Sequence, residues 1–265
     1  MKSRILFIVL SAVALSGCSC GSSAYGQQES YSFVQYNVGV FDKSDSTNVK
    51  YVADLVKLMN ADVITLNEVD SCALRTGKVD QMAEFAEAMG GWNCYYASAM
   101  PFNGGAYGIG IASRPELEIL KTDKVPLPKG DGYEPRVMAV VEFKDFVMAA
   151  THLDLTPDSR QEQVNVINEY FDSKYADVKK PIFLAGDFNA TPDSELMIQM
   201  KESWSRLSSE EFTYPSHAPD RCIDYIYVRA GRHSVKAQPD SQLLPNVALS
   251  YASDHLPVKV TAVWR

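Results

Sequence analysis

The sequence predicts an α/β sandwich built on mixed β-sheet, and three observations carry that prediction. Short apolar runs of strand length recur along the chain, and several end on a polar or charged residue. In the first half, segments with helical apolar spacing alternate with those runs, whereas further on the runs follow one another directly. That order favours a mixed-sheet sandwich over a barrel or a doubly wound parallel sheet. With 265 residues and 46% hydrophobic content, the chain can bury a sizeable core, and α/β folds of this length are often a single domain.

Taken in order, residues 32–37 place Phe33 and Val34 among polar neighbours and read as a first strand ending at Asn37. Val49, Val52, Leu55, Val56 and Met59 then recur at helical spacing over 48–59. Residues 62–68 form a buried-strand run that ends on Glu68. A helix over 79–89 and strands over 92–97 and 107–112 follow. Residues 136–143 and 146–151 read as two strands joined at Lys144-Asp145, the second running straight into His152. The longest helix candidate, 158–175, sets Val164, Ile167 and Phe171 on one face. A strand over 181–185 is punctuated by Gly186, and a short helix over 195–200 and strands over 223–228 and 255–264 complete the order.

Residues 1–17 differ from the rest. Lys2 and Arg4 precede the apolar stretch from Ile5 to Leu15, which reads as a secretory signal too short to span a membrane comfortably. Its end, Leu15-Ser16-Gly17-Cys18, resembles the bacterial lipoprotein processing site, at which Cys18 would be lipidated and become the first mature residue. Residues 18–30 are rich in Ser, Gly and Gln and read as a flexible tether, so the catalytic unit is expected to span 31–265. The expected location is the bacterial cell envelope, lipid-anchored and outside the cytoplasm, with a monomer as the expected state.

Loss of 1–17 removes Lys2 and Arg4 and no acid, which leaves 23 basic residues against 33 acidic ones, a net charge of −10. Such a surface disfavours tight binding of long nucleic acid unless cations compensate. Beyond Cys18 and Cys20, the chain has Cys72, Cys94 and Cys222, an odd set that is no disulfide scaffold and has no zinc spacing, although one bridge is allowed.

Polar groups sit at or just beyond strands at Asn37, Glu68, His152, Asp187, Asn189, Asp224, Asp254 and His255. Strand ends and the loops beyond them gather active sites in layered α/β folds. Asp187 and Asn189 follow a strand two residues apart, a spacing that in extended chain points both to one side. Asp254 and His255 are expected at the entry of the last strand. Glu68 closes an apolar run, where an unpaired acid is costly to bury unless it coordinates a metal. Asp224 lies within a strand and needs a partner, for which a histidine is suited because the acid fixes its tautomer. Arg136 and Arg160 are candidates for phosphate contact. Hydrolysis of a phosphate ester needs a hard cation on carboxylate oxygens, donors for the non-bridging oxygens and a base for water, and this set supplies all three.

The segments Gln35-Tyr36-Asn37, Asn67-Glu68-Val69, Thr151-His152-Leu153-Asp154, Gly186-Asp187-Phe188-Asn189, Arg221-Cys222-Ile223-Asp224-Tyr225 and Ser253-Asp254-His255, in this order, resemble the endonuclease/exonuclease/phosphatase superfamily. The resemblance implies a deoxyribonuclease-I-like four-layer α/β sandwich, with two mixed β-sheets packed face to face and helices outside. It also implies that Glu68 binds Mg²⁺ or Mn²⁺ with Asn37 and Asp254, and that His152 and Asn189 contact the scissile phosphate. Asp187 would orient or activate water and Asp224 would orient His255, leaving either Asp187 or His255 as the base. Asp154 and Arg160 fit family positions with less defined roles. Gly39 stands where the DNA-repair branch tends to carry an acid, and no long basic insertion is present to grip a duplex.

The expected function is therefore a divalent-metal-dependent hydrolase of phosphate esters, a phosphodiesterase before a phosphomonoesterase. Nucleic acid is retained among its substrates, and its only membrane contact would be the N-terminal lipid anchor. The alternative from another class is a surface-tethered binding lipoprotein that kept the fold and lost catalysis.

Overall fold

The computed structural model describes residues 28–43, 48–231, 233–240 and 246–265. The expected signal, Cys18 and the tether up to residue 27 lie outside the described residues. The strands are, in chain order, β1 (Glu29–Asn37), β2 (Val63–Ser71), β3 (Asn93–Phe102), β4 (Gly105–Ser113), β5 (Lys121–Leu127), β6 (Arg136–Glu142), β7 (Val147–His152), β8 (Ile182–Asp187), β9 (Ser205–Arg206), β10 (Asp224–Arg229), β11 (Lys236–Asp240) and β12 (Val258–Trp264). The helices are α1 (Val49–Leu58), α2 (Gln81–Ala88), α3 (Pro157–Lys174), α4 (Glu195–Ser203) and α5 (Asn246–Ser250).

Two six-stranded sheets form, one in the order β11-β12-β1-β2-β4-β3 and the other β5-β6-β7-β8-β10-β9. Each is mixed in the same way, with one parallel pair, β1 with β2 and β7 with β8, flanked by antiparallel neighbours. Apolar side chains on the facing sides interdigitate, with Phe33, Phe146, Phe183 and Trp264 at the centre of the inter-sheet core. A second core lies under α1 and α2, and a third under α3 and α4. The result is the expected four-layer sandwich.

The differences from the expected elements have simple causes. β1 starts at Glu29, inside the expected tether, because Glu29 and Ser30 pair with Trp264 and Val263. β5, β9 and β11, absent from the sequence reading, are all edge strands. Edge strands carry charge and proline, as Lys121, Asp123, Lys124 and Pro126 do in β5, and so lack the apolar signature of a buried strand. β2 does not end at Glu68 but continues to Ser71, and β12 begins only at Val258, leaving Asp254 and His255 in the turn before it. Cys72, Cys94 and Cys222 are free thiols.

The parallel contact of β7 with β8 is close at Gly186, where a Cβ would lie 1.9 Å from the Thr151 carbonyl oxygen. Gly186→Ala is expected to push β7 and β8 apart and to lower stability by about 1–3 kcal/mol. A urea denaturation midpoint equal to that of the unsubstituted chain would contradict this packing.

Candidate active site

Strand register assembles the centre of the site. Across three neighbouring strands, His152 stands opposite Asp187, and Asp187 opposite Asp224, so their side chains share one face. In the other sheet, Asn37 stands opposite Asn67 at the ends of the β1 and β2 parallel pairing. The two rows meet across the sandwich, where Asn37 Nδ2 donates to Asp187 Oδ2 at 3.1 Å and to Glu68 Oε1 at 3.1 Å.

A buried polar layer supports these rows. Asn67 Oδ1 accepts from the Asp187 amide at 2.9 Å and from Gln35 Nε2 at 2.6 Å, while Asn67 Nδ2 donates to the Thr151 carbonyl at 2.9 Å. Gln35 also reaches Asp224 Oδ1 at 3.4 Å, and Thr65 Oγ1 donates to Gln35 Oε1 at 2.6 Å. Gln35, Thr65 and Asn67 are fully buried. Gln35 and Asn67 lie inside segments that carry the family resemblance but have no assigned role there, and Thr65 has no signal in the sequence.

Glu68 reaches the cleft through a bulge. Leu66 pairs with Gly110 and Val69 with Gly108, so Asn67 and Glu68 together oppose one residue, and Glu68 takes φ 56°. This left-handed backbone on a non-glycine residue is strain of the kind held at functional sites. Burial pushes its carboxyl above the usual range, with Asp254 adding like charge and the Asn37 hydrogen bond opposing.

The turn carrying Asp254 and His255 is pinned by its own serine. Ser253 Oγ donates to the Asn37 carbonyl at 2.6 Å and accepts from the His255 amide at 3.1 Å, while the Ser216 amide donates to the Asp254 carbonyl at 2.7 Å. His255 Nδ1 lies 2.9 Å from Asp224 Oδ2, the expected pairing, and its ring packs 4.8 Å from that of Tyr214. Its Nε2 lies 3.6 Å from Asp187 Oδ2, and His152 Nε2 lies 3.5 Å from the same oxygen.

Burial alone would lower the His255 pKa, but the charge and hydrogen bond of Asp224, with Asp187 and Asp254 nearby, push it up to about 10. Burial and the like charge of Asp224 raise Asp187 to about 7, against His255 and the hydrogen bonds from Asn189 and Asn37. His152 goes the other way, because burial and the positive charges of Arg136 and His255 hold it well below the usual histidine range. Near neutral pH the site therefore holds one imidazolium, one neutral imidazole and a carboxyl poised to exchange a proton.

Asn189 departs from the expected geometry. Its φ of 49° breaks the extended chain, its amide donates to Asp187 Oδ1 at 2.9 Å, and Nδ2 donates to the Leu153 carbonyl at 2.9 Å. The residue still lines the cleft, as do Glu68, Arg136, His152, Arg160, Asp187, Asp254 and His255, around about 660 Å³. Arg136 is buried and ion-paired to Glu134 at 2.9 Å, and Arg160 Nη1 donates to the Leu155 carbonyl at 2.8 Å.

The donor set fits a hard cation. Glu68 and Asp254 both line the cleft, and the like charge of Asp254 on the Glu68 carboxyl is a repulsion that a divalent ion would relieve. Asp187, Asp224 and His255 also bring ligand atoms within 4.8 Å of one another, but Asp224 already spends one oxygen on His255 Nδ1, so that group reads as a relay. The family model described as the endonuclease/exonuclease/phosphatase family matches residues 34–255, which contain every residue of this site.

The chain belongs to the endonuclease/exonuclease/phosphatase family. Members of this family hydrolyse phosphate esters and generally depend on a divalent metal. Solved structures with the same fold include a mannosyl-6-phosphatase of Bacteroides thetaiotaomicron, with 17% identity, TM-score 0.67 and coverage of 88% of this chain and 99% of that one. Another is ANGEL2, a 2′,3′-cyclic phosphatase, with 18% identity, TM-score 0.69 and coverage of 89% and 95%. The human Nocturnin catalytic domain with bound sulfate has 16% identity, TM-score 0.66 and coverage of 90% and 97%. No curated protein matches the sequence.

Within the family frame, Asn67 holds the two sheets together directly behind Asp187. Asn67→Ala would strip partners from the Asp187 amide and the Thr151 carbonyl, both buried, at about 1–3 kcal/mol for each group. The expected result is a lowered thermal midpoint together with lowered turnover; an unchanged midpoint would show that the layer does not join the sheets.

Proposed function

We propose that this protein is a divalent-metal-dependent phosphodiesterase acting on a small phosphate ester by water attack at phosphorus. The observation that carries the reading is the shared position of Asp187 Oδ2, within 3.1 Å of Asn37 Nδ2, 3.5 Å of His152 Nε2 and 3.6 Å of His255 Nε2. A divalent cation held by Glu68 and Asp254, beside Asn37, would neutralise the non-bridging oxygens and polarise phosphorus toward attack.

The side chains supply the proton chemistry. Asp187, with its pKa raised to about 7, takes a proton from the attacking water as the new P–O bond forms and the P–O bond to the departing ester oxygen breaks, the leaving alkoxide taking its proton from solvent. His255, kept cationic by Asp224, donates Nε2–H to a non-bridging oxygen and stabilises the charge that develops there. This favours Asp187 over His255 as the base, since an imidazolium cannot accept. His152 is neutral and offers a hydrogen bond rather than a charge. Arg136 and Arg221 are already paired with Glu134 and Asp220, which leaves Arg160 as the cleft guanidinium without a carboxylate partner among the described residues, and that limited free positive charge suits a singly charged diester better than a dianionic monoester. Leu15-Ser16-Gly17-Cys18 supports lipid attachment outside the cytoplasm as part of the same proposal.

Glu68→Ala, Asp187→Ala and His255→Ala are each expected to lower kcat/KM on a chromogenic diester by about 10²–10⁴-fold with the circular dichroism spectrum unchanged. Chelation should abolish turnover reversibly. Retained activity in two of the three variants would remove the assignment.

The rate should also follow the two shifted groups. Asp187 acts deprotonated, so activity falls as pH drops through about 7, and His255 acts protonated, so it falls again as pH rises through about 10. A bound divalent cation favours the Asp187 carboxylate and moves the acid limb to lower pH. A rate that stays level from about pH 8 down to about pH 4 with metal present would show that Asp187 does not titrate as a raised-pKa base in the loaded site.

A further inference from the structure

One wall of the cleft is built from side chains that the hydrolytic chemistry does not use. Tyr133 and Leu155 line it and remain 73% and 52% exposed, two large apolar surfaces in the cleft that also holds His152 and Asn189. They belong to different segments, the connection between β5 and β6 and the stretch after β7. A single carboxylate ties those segments together. Asp154 is fully buried, its Oδ2 accepting the Tyr133 amide at 3.0 Å and its Oδ1 accepting the amide and hydroxyl of Thr156 at 2.9 and 2.6 Å.

The loop is shaped to close on that carboxylate. A Cβ on Gly132 would lie 2.5 Å from Asp154 Oδ2 and 2.6 Å from the Lys129 carbonyl, so a side chain there would force the loop away. Gln163 fastens both sides to α3, donating Nε2 to the Pro128 carbonyl at 3.0 Å and accepting the Asp154 amide on Oε1 at 3.0 Å. Ser159 Oγ donates to the Lys129 carbonyl at 2.9 Å, and Arg160 fixes the Leu155 carbonyl. An exposed tyrosine on a surface loop is ordinary. A tyrosine whose backbone is clamped by a buried charge at the mouth of a reaction cleft is a preorganised contact surface.

We propose that Tyr133, flanked by Leu155, is the specificity wall of this cleft, and that it selects phosphodiesters whose ester group carries a ring with an apolar face over those with an alkyl chain. Asp154 is its positioning residue. The inference rests on the phosphodiesterase reading and adds the substrate class to it. Ring faces stack on tyrosine largely irrespective of hydrogen-bond pattern, so a nucleobase and a sugar ring share this chemistry.

The experiment compares p-nitrophenyl diesters of ethanol, of ribose at O5′ and of thymidine at O5′, all with Mg²⁺ and with the same leaving group. Tyr133→Ala is expected to lower kcat/KM for the ring-bearing esters about five- to tenfold through KM, with kcat and the ethyl ester unaffected, while Tyr133→Phe keeps the preference. A loss seen only with thymidine assigns the ring to a nucleobase, and a loss shared by ribose assigns it to the sugar; both support the wall. Asp154→Ala, or Asp154→Asn should the first fail to fold, is expected to raise KM for the same esters, and combining it with Tyr133→Ala should add nothing further. An equal loss on all three esters, or a loss in kcat alone, overturns the proposal. Hydrolysis of the ethyl ester tests the phosphodiesterase reading separately. If no ester is turned over, that reading fails, and calorimetric binding of the thymidine and ethyl esters to the wild-type and Tyr133→Ala chains decides the wall on its own.

Discussion

The carboxamide of Asn67 is the interaction on which the site depends. It reaches from β2 across the sandwich to two strands of the opposite sheet, accepting the Asp187 amide and donating to the Thr151 carbonyl. Face-to-face sheets are otherwise held by non-directional apolar contact, which tolerates small slides of one sheet over the other. A fully buried amide with three partners does not tolerate them, because each slide leaves a polar group unpaired in a low-dielectric interior. The apolar core thus brings the sheets together, and Asn67 with Gln35 fixes their relative position. That fixed position puts Asn37 and Asp187, from different sheets, within hydrogen-bond distance.

The same geometry accounts for the electrostatics. Asp187 and Asp224 are buried neighbours of like charge, an arrangement that would be costly without compensation. His255 supplies it by pairing with Asp224 and facing Asp187, and in doing so becomes a cation in a place where burial alone would have kept it neutral. His152, only 3.5 Å from the same Asp187 oxygen, is held neutral by burial and by the positive charges of Arg136 and His255. Two histidines around one carboxylate thereby acquire different protonation states from their neighbours, which lets one carry charge and the other only a hydrogen bond.

Much of this was legible in the sequence, for a physical reason. Residues such as Glu68, His152, Asp187 and Asp224 are polar groups in or at the end of apolar strands, and such groups stand out because burial without a partner is unfavourable. Gln35 follows the same logic but sits in an imperfectly alternating segment where a polar residue also reads as solvent-facing, so its role shows only with Asn67 and Asp224 beside it, while Thr65 lies in a buried run and bonds Gln35 from the neighbouring strand. The bulge at Glu68 and the positive φ of Asn189 were illegible, since neither position carries the glycine that usually marks left-handed backbone. Edge strands β5, β9 and β11 escaped because their sequences are chosen against further pairing rather than for burial.

The floor and the walls of the cleft obey different constraints. Floor residues are placed by strand register, in which a shift of one position would turn His152, Asp187 and Asp224 away together, so their spacing leaves a pattern in the chain. Wall residues such as Tyr133 and Leu155 stand on connections, where side-chain clamps from Asp154 and Arg160 hold the backbone. The mannosyl-6-phosphatase and the 2′,3′-cyclic phosphatase share this fold at 17% and 18% identity. Under the proposed reading, register carries the chemistry and loop clamps carry the selectivity. Because Asp154 sits two residues beyond His152 at the end of β7, the strand that delivers a cleft histidine also delivers the carboxylate that holds the Tyr133 backbone, and the two remain in fixed relation.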